Sequence, residues 1–305
     1  MKVLIVCSQN HEWGVATFIV EQADALMKQG VEIDYFYIRK KGIIGYLSNY
    51  LPFRQKLKKN TYDLVHAHYG LSGLLASLQR KIPVIVTYHG SDINNAYHRF
   101  FSTIAIHLSK FNIFVHSSIR RNVCSAQSAI IPCGIDLDQF YPVSRDQAYE
   151  QLNLAPNKHR ILFAGAFDRV VKNVGLARQA LALTVQQPEL IELKNYSREE
   201  VRSLMSACDL LLVTSFSETG PLVVKEALAC GSPVVSVDVG DVQQLLQKIE
   251  SSFVVPREPE AIAEKIDLIL EGSLDLSQFE RSIDTRFDNN LIAEKIIAIY
   301  QELLE

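Results

Sequence analysis

The sequence predicts an α/β protein of two domains, each a parallel sheet covered by helices on both faces. Three observations predict it. Short β-branched runs alternate with segments of helical period, and the runs are apolar throughout instead of alternating in and out. The chain is also 305 residues long, against a rough prior of ~150 residues per domain. Strands are expected at Val3 to Cys7, Asp63 to Ala67, Pro83 to Thr87, Ile113 to Val115 and Ala129 to Pro132, then at Ile161 to Gly165, Asp209 to Thr214 and Pro233 to Val237. After the first strand, Val15, Phe18, Ile19, Gln22, Ala23, Leu26 and Met27 form a helical stripe that ends at Gly30. Residues 134 to 160 lose the pattern and read as the linker between domains. Ser197 and Glu200 form a capping box that opens the helix of Val201, Leu204 and Cys208. The last helix, from about Leu291 to Leu304, is expected to bury Leu291, Ile292, Ile296, Tyr300, Leu303 and Leu304.

Composition narrows the function classes. At 48% hydrophobic and 21% charged residues, with 14 Gly and 10 Pro, the chain is neither fibrous nor of low complexity. No apolar run reaches the ~18 residues of a membrane-spanning helix, and no signal peptide is read at Met1-Lys2-Val3, so a cytoplasmic location is expected. Cys7, Cys124, Cys133, Cys208 and Cys230 are scattered without a Cys-x-x-Cys pair and read as reduced thiols. The net charge of −3 is uneven: residues 1–150 carry 16 Lys and Arg against 11 acids, and residues 151–305 carry 15 against 23. Residues 39–59 hold seven basic residues, no acids, and interleaved Ile, Tyr, Leu and Phe. Such a segment either is a solvated basic helix face or lies on an anionic membrane surface as a peripheral contact; no nucleic-acid motif accompanies it.

The chemistry-bearing constellation is Leu211 to Val235. A buried strand ends in a turn at Glu218, and a helix is expected to start near Pro221 as its first residue. The amides of Leu222 and Val223 would then be free donors at a positive helix end, suited to a diphosphate. Glu218 before the helix and Glu226 about two turns in would be hydroxyl acceptors for a sugar and a ribose. The spacing alone also fits a loop acid and a helix-surface acid with no ligand.

The run Glu218-x7-Glu226, followed by Ala227-Leu-Ala-Cys-Gly-Ser-Pro-Val-Val235, resembles the signature of the retaining glycosyltransferases of family 4. Thr87-Tyr-His89-Gly-Ser-Asp92, Ile131-Pro-Cys-Gly134-Ile-Asp136 and Ile161-Leu-Phe-Ala-Gly165 through Lys172 resemble further segments of that family in the same order. The resemblance spans about residues 1–240. It implies the GT-B fold: two facing Rossmann-like domains, parallel sheets flanked by helices, with the active site in the interdomain cleft. An acceptor domain would occupy residues 1–145 and a nucleotide-sugar donor domain residues 146–288, with the helix of residues 289–305 packing back on the first. Carried over, Lys172 would pair with the diphosphate and Glu226 would hold the ribose. Glu218 with Thr219, Gly220, Pro221, Leu222 and Val223 would hold the sugar and phosphates, and His89 would contact the transferred sugar. Gly14, the one glycine of Glu12-Trp13-Gly14-Val15, would approach the phosphates. Where the family places Arg after the donor-loop glycine this chain has Ala166, so Arg169 is the candidate second cation.

The resemblance implies transfer from a nucleotide sugar to an acceptor hydroxyl with retention; if residues 39–59 rest on a membrane, the expected acceptor is a sugar or lipid-linked sugar in cell-surface polysaccharide, lipopolysaccharide or glycolipid synthesis. No cofactor and no metal is expected: His66 and His68 read as packing residues, and Asp136-Leu137-Asp138 as a turn. A nucleotide-sugar epimerase of the same fold and a non-catalytic nucleotide-sugar-binding protein remain as alternatives. A hydride-transfer enzyme is excluded, since Ser8 to Gly14 lacks Gly-x-Gly-x-x-Gly.

Overall fold

The structure, a computed structural model, describes residues 1–10, 14–121, 123, 127–156, 158–247, 249–272 and 283–305. It comprises two units, Met1–Gly134 with Arg286–Glu305, and Ile135–Thr285.

In the first unit β1 (Lys2–Ser8), β2 (Glu32–Ile38), β3 (Leu64–His68), β4 (Val84–Tyr88), β5 (Phe111–Phe114) and β6 (Ser128–Ile130) form a sheet in the order β2-β1-β3-β4-β5-β6, with every pairing parallel. The unbroken apolar run of β1 follows from its two faces. Leu4 and Val6 pack with Phe53, Tyr88 and Phe114 on one side, whereas Val3 joins Leu26, Ile85 and Ile113 on the other. The helices Gly42–Leu47, Tyr50–Lys59, Gly70–Ser77, Ala96–Leu108 and Ser117–Arg120 contribute to the first of these layers; Thr17–Lys28 and the terminal helix Asn289–Leu304 cover the second.

In the second unit β7 (Arg160–Phe163), β8 (Glu189–Glu192), β9 (Leu210–Val213), β10 (Val234–Val237) and β11 (Phe253–Val255) run in the order β11-β10-β9-β7-β8, again all parallel. Each sheet reverses its winding once, between β1 and β3 and between β7 and β9. In open parallel sheets ligands enter at the carboxyl ends of the strands flanking such a reversal.

Three strands were not expected from the sequence: β2, β8 and β11. All three are sheet edges; in β2 and β8 the side facing solvent admits Glu32, Asp34, Glu189 and Glu192, which interrupt the apolar run, whereas β11, Phe-Val-Val, is only three residues long. The division between units also differs from the expected 145/146 and 288/289. Residues 135–145 belong with the second unit because their side chains pack there. Phe140 is buried beneath the Arg198 guanidinium, Tyr141 accepts a 2.8 Å hydrogen bond from Arg202, and Arg145 pairs with Asp209. Asp136 turns this segment, its Oδ1 accepting from the amides of Asp138 and Gln139.

The terminal helix begins at Asn289, its N-cap Asp288 accepting from the amide of Asn290 at 2.8 Å. It buries Ile292, Ala293, Ile296, Ile299 and Tyr300, while Leu291 and Leu304 project to 37% and 44% exposure and so fall outside the expected stripe. Met27 likewise turns outward from the first helix. At Gly134 a β-carbon would stand 2.5 Å from Asn289 Oδ1 and 2.8 Å from Phe287 O, so only glycine lets the returning chain pass this closely. Among the described residues no helix is long and apolar enough to cross a membrane. Ile296→Ala is expected to lower stability by about 2–5 kcal/mol and Leu291→Ala by under about 1 kcal/mol, as read by denaturant unfolding.

Candidate functional site

In the second unit, polar groups gather at the carboxyl ends of β7 and β9. After β7 the chain turns at Gly165, whose φ of +149° an L side chain rarely adopts. A β-carbon there would sit 2.8 Å from Lys172 Cε, so the missing side chain is the channel through which Lys172 runs. The loop after β9 is tied to this turn. Thr214 Oγ1 donates to the carbonyls of Lys172 (2.9 Å) and Asn173 (3.0 Å), and the Phe216 amide donates to Val171 O (2.8 Å). These bonds bring Lys172 Nζ to 2.8 Å from Glu218 Oε1, which also accepts from Ser215 Oγ at 2.7 Å. Both side chains are partly buried, so the pair is neither fully desolvated nor free in water.

Thr219 and Gly220 lead into the helix Leu222–Ala229. Pro221 is its N-cap with ψ 110°, not its first helical residue as expected; that extended backbone delays the start of the helix by one position, to Leu222. Leu222 and Val223 therefore stand in the first turn, where amides have no intrahelical acceptor. Glu226 is 4% exposed, and its Oε1 accepts from Arg198 Nη2 at 2.7 Å. Arg198 in turn lies over the Phe140 ring at 4.5 Å. Behind the helix start the buried Lys225 ammonium is 3.7 Å from the Asp241 carboxylate.

Sequence reasoning missed Arg198, Lys225 and Asp241. Arg198 follows the capping-box Ser197 and is thereby fixed in a first turn, and Lys225 is the one cation in the apolar run Leu222–Ala229, which itself demands a buried anion. The Arg169 backbone carbonyl accepts from the Lys172 amide at 2.8 Å, but its side chain is exposed and makes no ion pair among the described residues.

In the first unit, His89 follows β4. Its ring lies 4.7 Å from Phe18 and 4.6 Å from Tyr69, and its Nε2 is 3.1 Å from His68 Nδ1. His89 Nδ1 is 3.6 Å from Cys133 Sγ. His68 stacks on His66, which bonds Tyr300 Oη at 2.5 Å and Thr87 Oγ1 at 2.7 Å. Burial holds all three imidazoles neutral, with His66 and His89 lowered to about 3 and His68 well below its ordinary value. Asp92 fixes the loop by accepting from the amides of Gly70, His89 and Gly90, and burial raises its carboxyl to about 6 against those bonds.

A cavity of about 350 Å³ opens beside this loop, lined by Ser8, Asn10, Lys41, Tyr46, Tyr69 and His98 among others. A larger hollow of about 1140 Å³, lined by Lys110, Arg120 and Arg121 along β5 and β6, contains none of the expected site residues. Gly14 has φ +88° and open space where a β-carbon would point. Glu12, Trp13 and Cys124 lie outside the described residues.

Two outcomes follow from this geometry. Gly165→Ala is expected to push Lys172 off Glu218 and weaken pyrophosphate binding about tenfold, as read by calorimetry. The second concerns pH. The histidines titrate lower in the folded chain than the ~6.5 of an unfolded one, so their stabilisation is complete above pH ~6.5 and is lost as the pH falls toward 3. Asp92, raised from 3.8 to about 6, acts in the opposite sense, its contribution being lost as the pH rises through 6. Removing one histidine by His66→Gln should therefore flatten the slope of unfolding free energy between pH 6 and 4.5 by about 1.4 kcal/mol per pH unit, measured by urea unfolding across that range.

Residues 34–139 match the family model described as Glycosyltransferase Family 4, and residues 147–285 match that described as Glycosyl transferases group 1. Among curated proteins the chain is similar to TuaC of Bacillus subtilis, a glycosyltransferase provisionally assigned to teichuronic acid biosynthesis, at 26% identity over 67% of this chain and 60% of that protein. It is similar also to D-inositol 3-phosphate glycosyltransferase of Mycolicibacterium smegmatis, at 27% identity over 59% of this chain and 52% of that one. The chain thus spans little more than half the length of these two relatives. Among solved structures it is similar to sucrose-phosphate synthase from Thermosynechococcus elongatus (TM-score 0.84, 20% identity, 99% of each chain). The Anabaena protein Alr3699/HepE, solved with UDP and glucose, aligns with a TM-score of 0.78 at 18% identity over 99% of this chain and 100% of that one. Likeness at these identities speaks for the fold. The family matches speak for descent: one covers most of the first sheet and the other the whole of the second, and the chain belongs to the group 1, family-4-like glycosyltransferases, with their two-domain GT-B architecture.

Proposed function

We propose that the chain transfers a sugar from a nucleoside-diphosphate donor to an acceptor hydroxyl with retention at the anomeric carbon and without a metal ion. The observation that carries this reading is the convergence of Lys172, Glu218 and the first-turn amides of Leu222 and Val223 at the carboxyl ends of β7 and β9. As the glycosidic bond breaks, negative charge grows on the departing diphosphate, and fixed donors aimed at it stabilise that change without reorganising. Lys172 exchanges its contact with Glu218 for the phosphates, which frees Glu218, beside Thr219 and Gly220, to accept from sugar hydroxyls. Glu226, held by Arg198, accepts from the ribose diol. The departing phosphate takes the acceptor proton as the hydroxyl attacks from the same face, so no side chain serves as nucleophile, and His89 contacts the transferred sugar. Arg169 supplies the second cation in place of the residue replaced by Ala166.

The Anabaena neighbour, solved with UDP and glucose, supports a uridine donor as the first to be tried. For the acceptor, the relative tied to teichuronic acid synthesis and the basic segment of residues 39–59 support a cell-surface polysaccharide or glycolipid intermediate met at an anionic membrane surface. The test is a thermal-shift panel of nucleoside diphosphates and nucleotide sugars on the wild type and Glu226→Ala. One base family should stabilise the wild type by about 2.7 kcal/mol at a hundredfold excess over Kd and leave the variant unmoved. A panel that shifts neither protein, or a trapped covalent glycosyl adduct on Glu218, overturns the reading.

A further inference from the structure

The sheet of the first unit is thinly covered at its β5–β6 end. The helix Ala96–Leu108 before β5 has thirteen residues, but among the described residues the crossover from β5 to β6 holds only the four-residue helix Ser117–Arg120. The 1140 Å³ hollow lies along this stretch, from Ser109 and Lys110 before β5 to Arg120 and Arg121 after it. A second hollow of about 510 Å³ shares His107, Ser109 and Lys110 with the first and continues to the start of β4, where Arg80 and Lys81 line it. Together they make one open groove, at least as long as the ~13 Å rise of the four residues of β5. It shares no lining residue with the 350 Å³ cavity or with the groups around Lys172 and Glu218.

The charge of this groove has one sign. Between Leu64 and Gly134 the sequence has six Lys and Arg, and five of them, Arg80, Lys81, Lys110, Arg120 and Arg121, line it. The single acid of that span, Asp92, is buried, accepts from three backbone amides and lines the other cavity. None of the five cations forms an ion pair among the described residues. Two are nevertheless held in place: Arg120 Nε donates to Ser128 Oγ at 3.0 Å, and Arg80 Nη1 donates to Leu108 O at 3.1 Å. Cations set in a row without counter-charge repel one another, and an anion laid along them relieves that repulsion.

The matching ligand is elongated, because cations stand at both ends of the groove. Between them lie the hydroxyl and amide side chains of Ser109, Ser117, Asn112 and Gln127 and the aliphatic Ile106 and Ile130. No Phe, Tyr or Trp lines either hollow among the described residues, so the bases of a nucleic-acid strand would find no stacking platform. A glycan offers ring hydroxyls to the hydroxyl and amide groups and apolar C–H faces to the aliphatic ones, while carboxylates or phosphates on it meet the cations. We infer that this groove binds a linear anionic glycan. That the bound glycan is a chain the enzyme extends rests on the proposed function; the binding itself does not.

The test is anisotropy of fluorescein-labelled oligogalacturonate and phosphomannan titrated with the full chain in the absence of nucleotide. At least one of the two should bind, which names the anionic group as carboxylate or phosphate, and labelled neutral dextran should not. Arg80→Gln/Lys81→Gln and Arg120→Gln/Arg121→Gln should each weaken binding about tenfold and reduce the slope of log K against log salt by about 1.5. All four replaced side chains are exposed, and an unchanged urea midpoint shows that each variant is folded. The groove is overturned by failure of both glycans to bind, by equal binding of dextran, or by either variant binding like the wild type. Oligothymidylate or polyglutamate bound as tightly as the glycan overturns the choice of ligand. A nucleotide panel that leaves the wild type unshifted strikes the transferase reading alone.

Discussion

A parallel strand covered on both faces has no polar side, and this constraint decides where chemistry can occur in the protein. Val3, Leu4, Ile5 and Val6 all serve cores, as do Leu210, Leu211, Leu212 and Val213. Polar function is displaced to the strand ends, and among those ends the winding reversals leave room. Between β7 and β9 the chain fills that room with Gly165, Lys172, Thr214 and Glu218, each held by a bond to the neighbouring loop. Between β1 and β3 it places Ser8, Tyr69 and the loop carrying His89, with Asp92 as the common acceptor of three loop amides.

The same constraint explains what could be read from the sequence. Interior strands announce themselves as apolar runs, and β1, β3, β4, β7, β9 and β10 all lie within or close to the expected segments. The edge strands β2 and β8 escape because solvent permits Glu32, Asp34, Glu189 and Glu192 among their apolar residues, and β11 because it is three residues long; the edge strand β6 overlaps the expected segment Ala129 to Pro132. In the candidate site, Glu218, Lys172 and the helix start are brought together at one sheet end, a grouping that local spacing and the family resemblance indicated. The partners of Glu226 and Lys225 were not legible. Arg198 precedes Glu226 by a whole helix and strand, and Asp241 lies beyond β10, so only the sheet order makes them neighbours. The terminal helix shows the limit of period counting: Leu291 and Leu304 are apolar but flank the buried stripe of Ile292, Ile296, Ile299 and Tyr300 and stay exposed.

Charge is handled differently in the two units. The second neutralises buried ions locally, Lys225 with Asp241 and Glu226 with Arg198, arrangements in which loss of either partner strands a charge away from water. The first keeps His66, His68 and His89 neutral in one stacked column, whose far end is the hydroxyl of Tyr300, and holds its buried Asp92 carboxyl with backbone amides instead of a cation. Its cations are left at the surface, with Arg54, Lys58 and Lys59 clustered along the helix Tyr50–Lys59.

The return of the chain at Arg286 makes the second unit an insertion within the first. The core around Val3, Leu26, Ile85 and Ile113 is closed only by Ile292, Ile296, Ile299 and Tyr300. Synthesis runs from the amino terminus, and domains generally fold as units as they emerge. The first domain to leave the ribosome is accordingly the last to be completed: its sheet must wait, with one apolar face covered only by the helix Thr17–Lys28, until the whole of the second domain has been made, and any pause or truncation before residue 286 leaves the rest of that face open to chaperones or to other nascent chains.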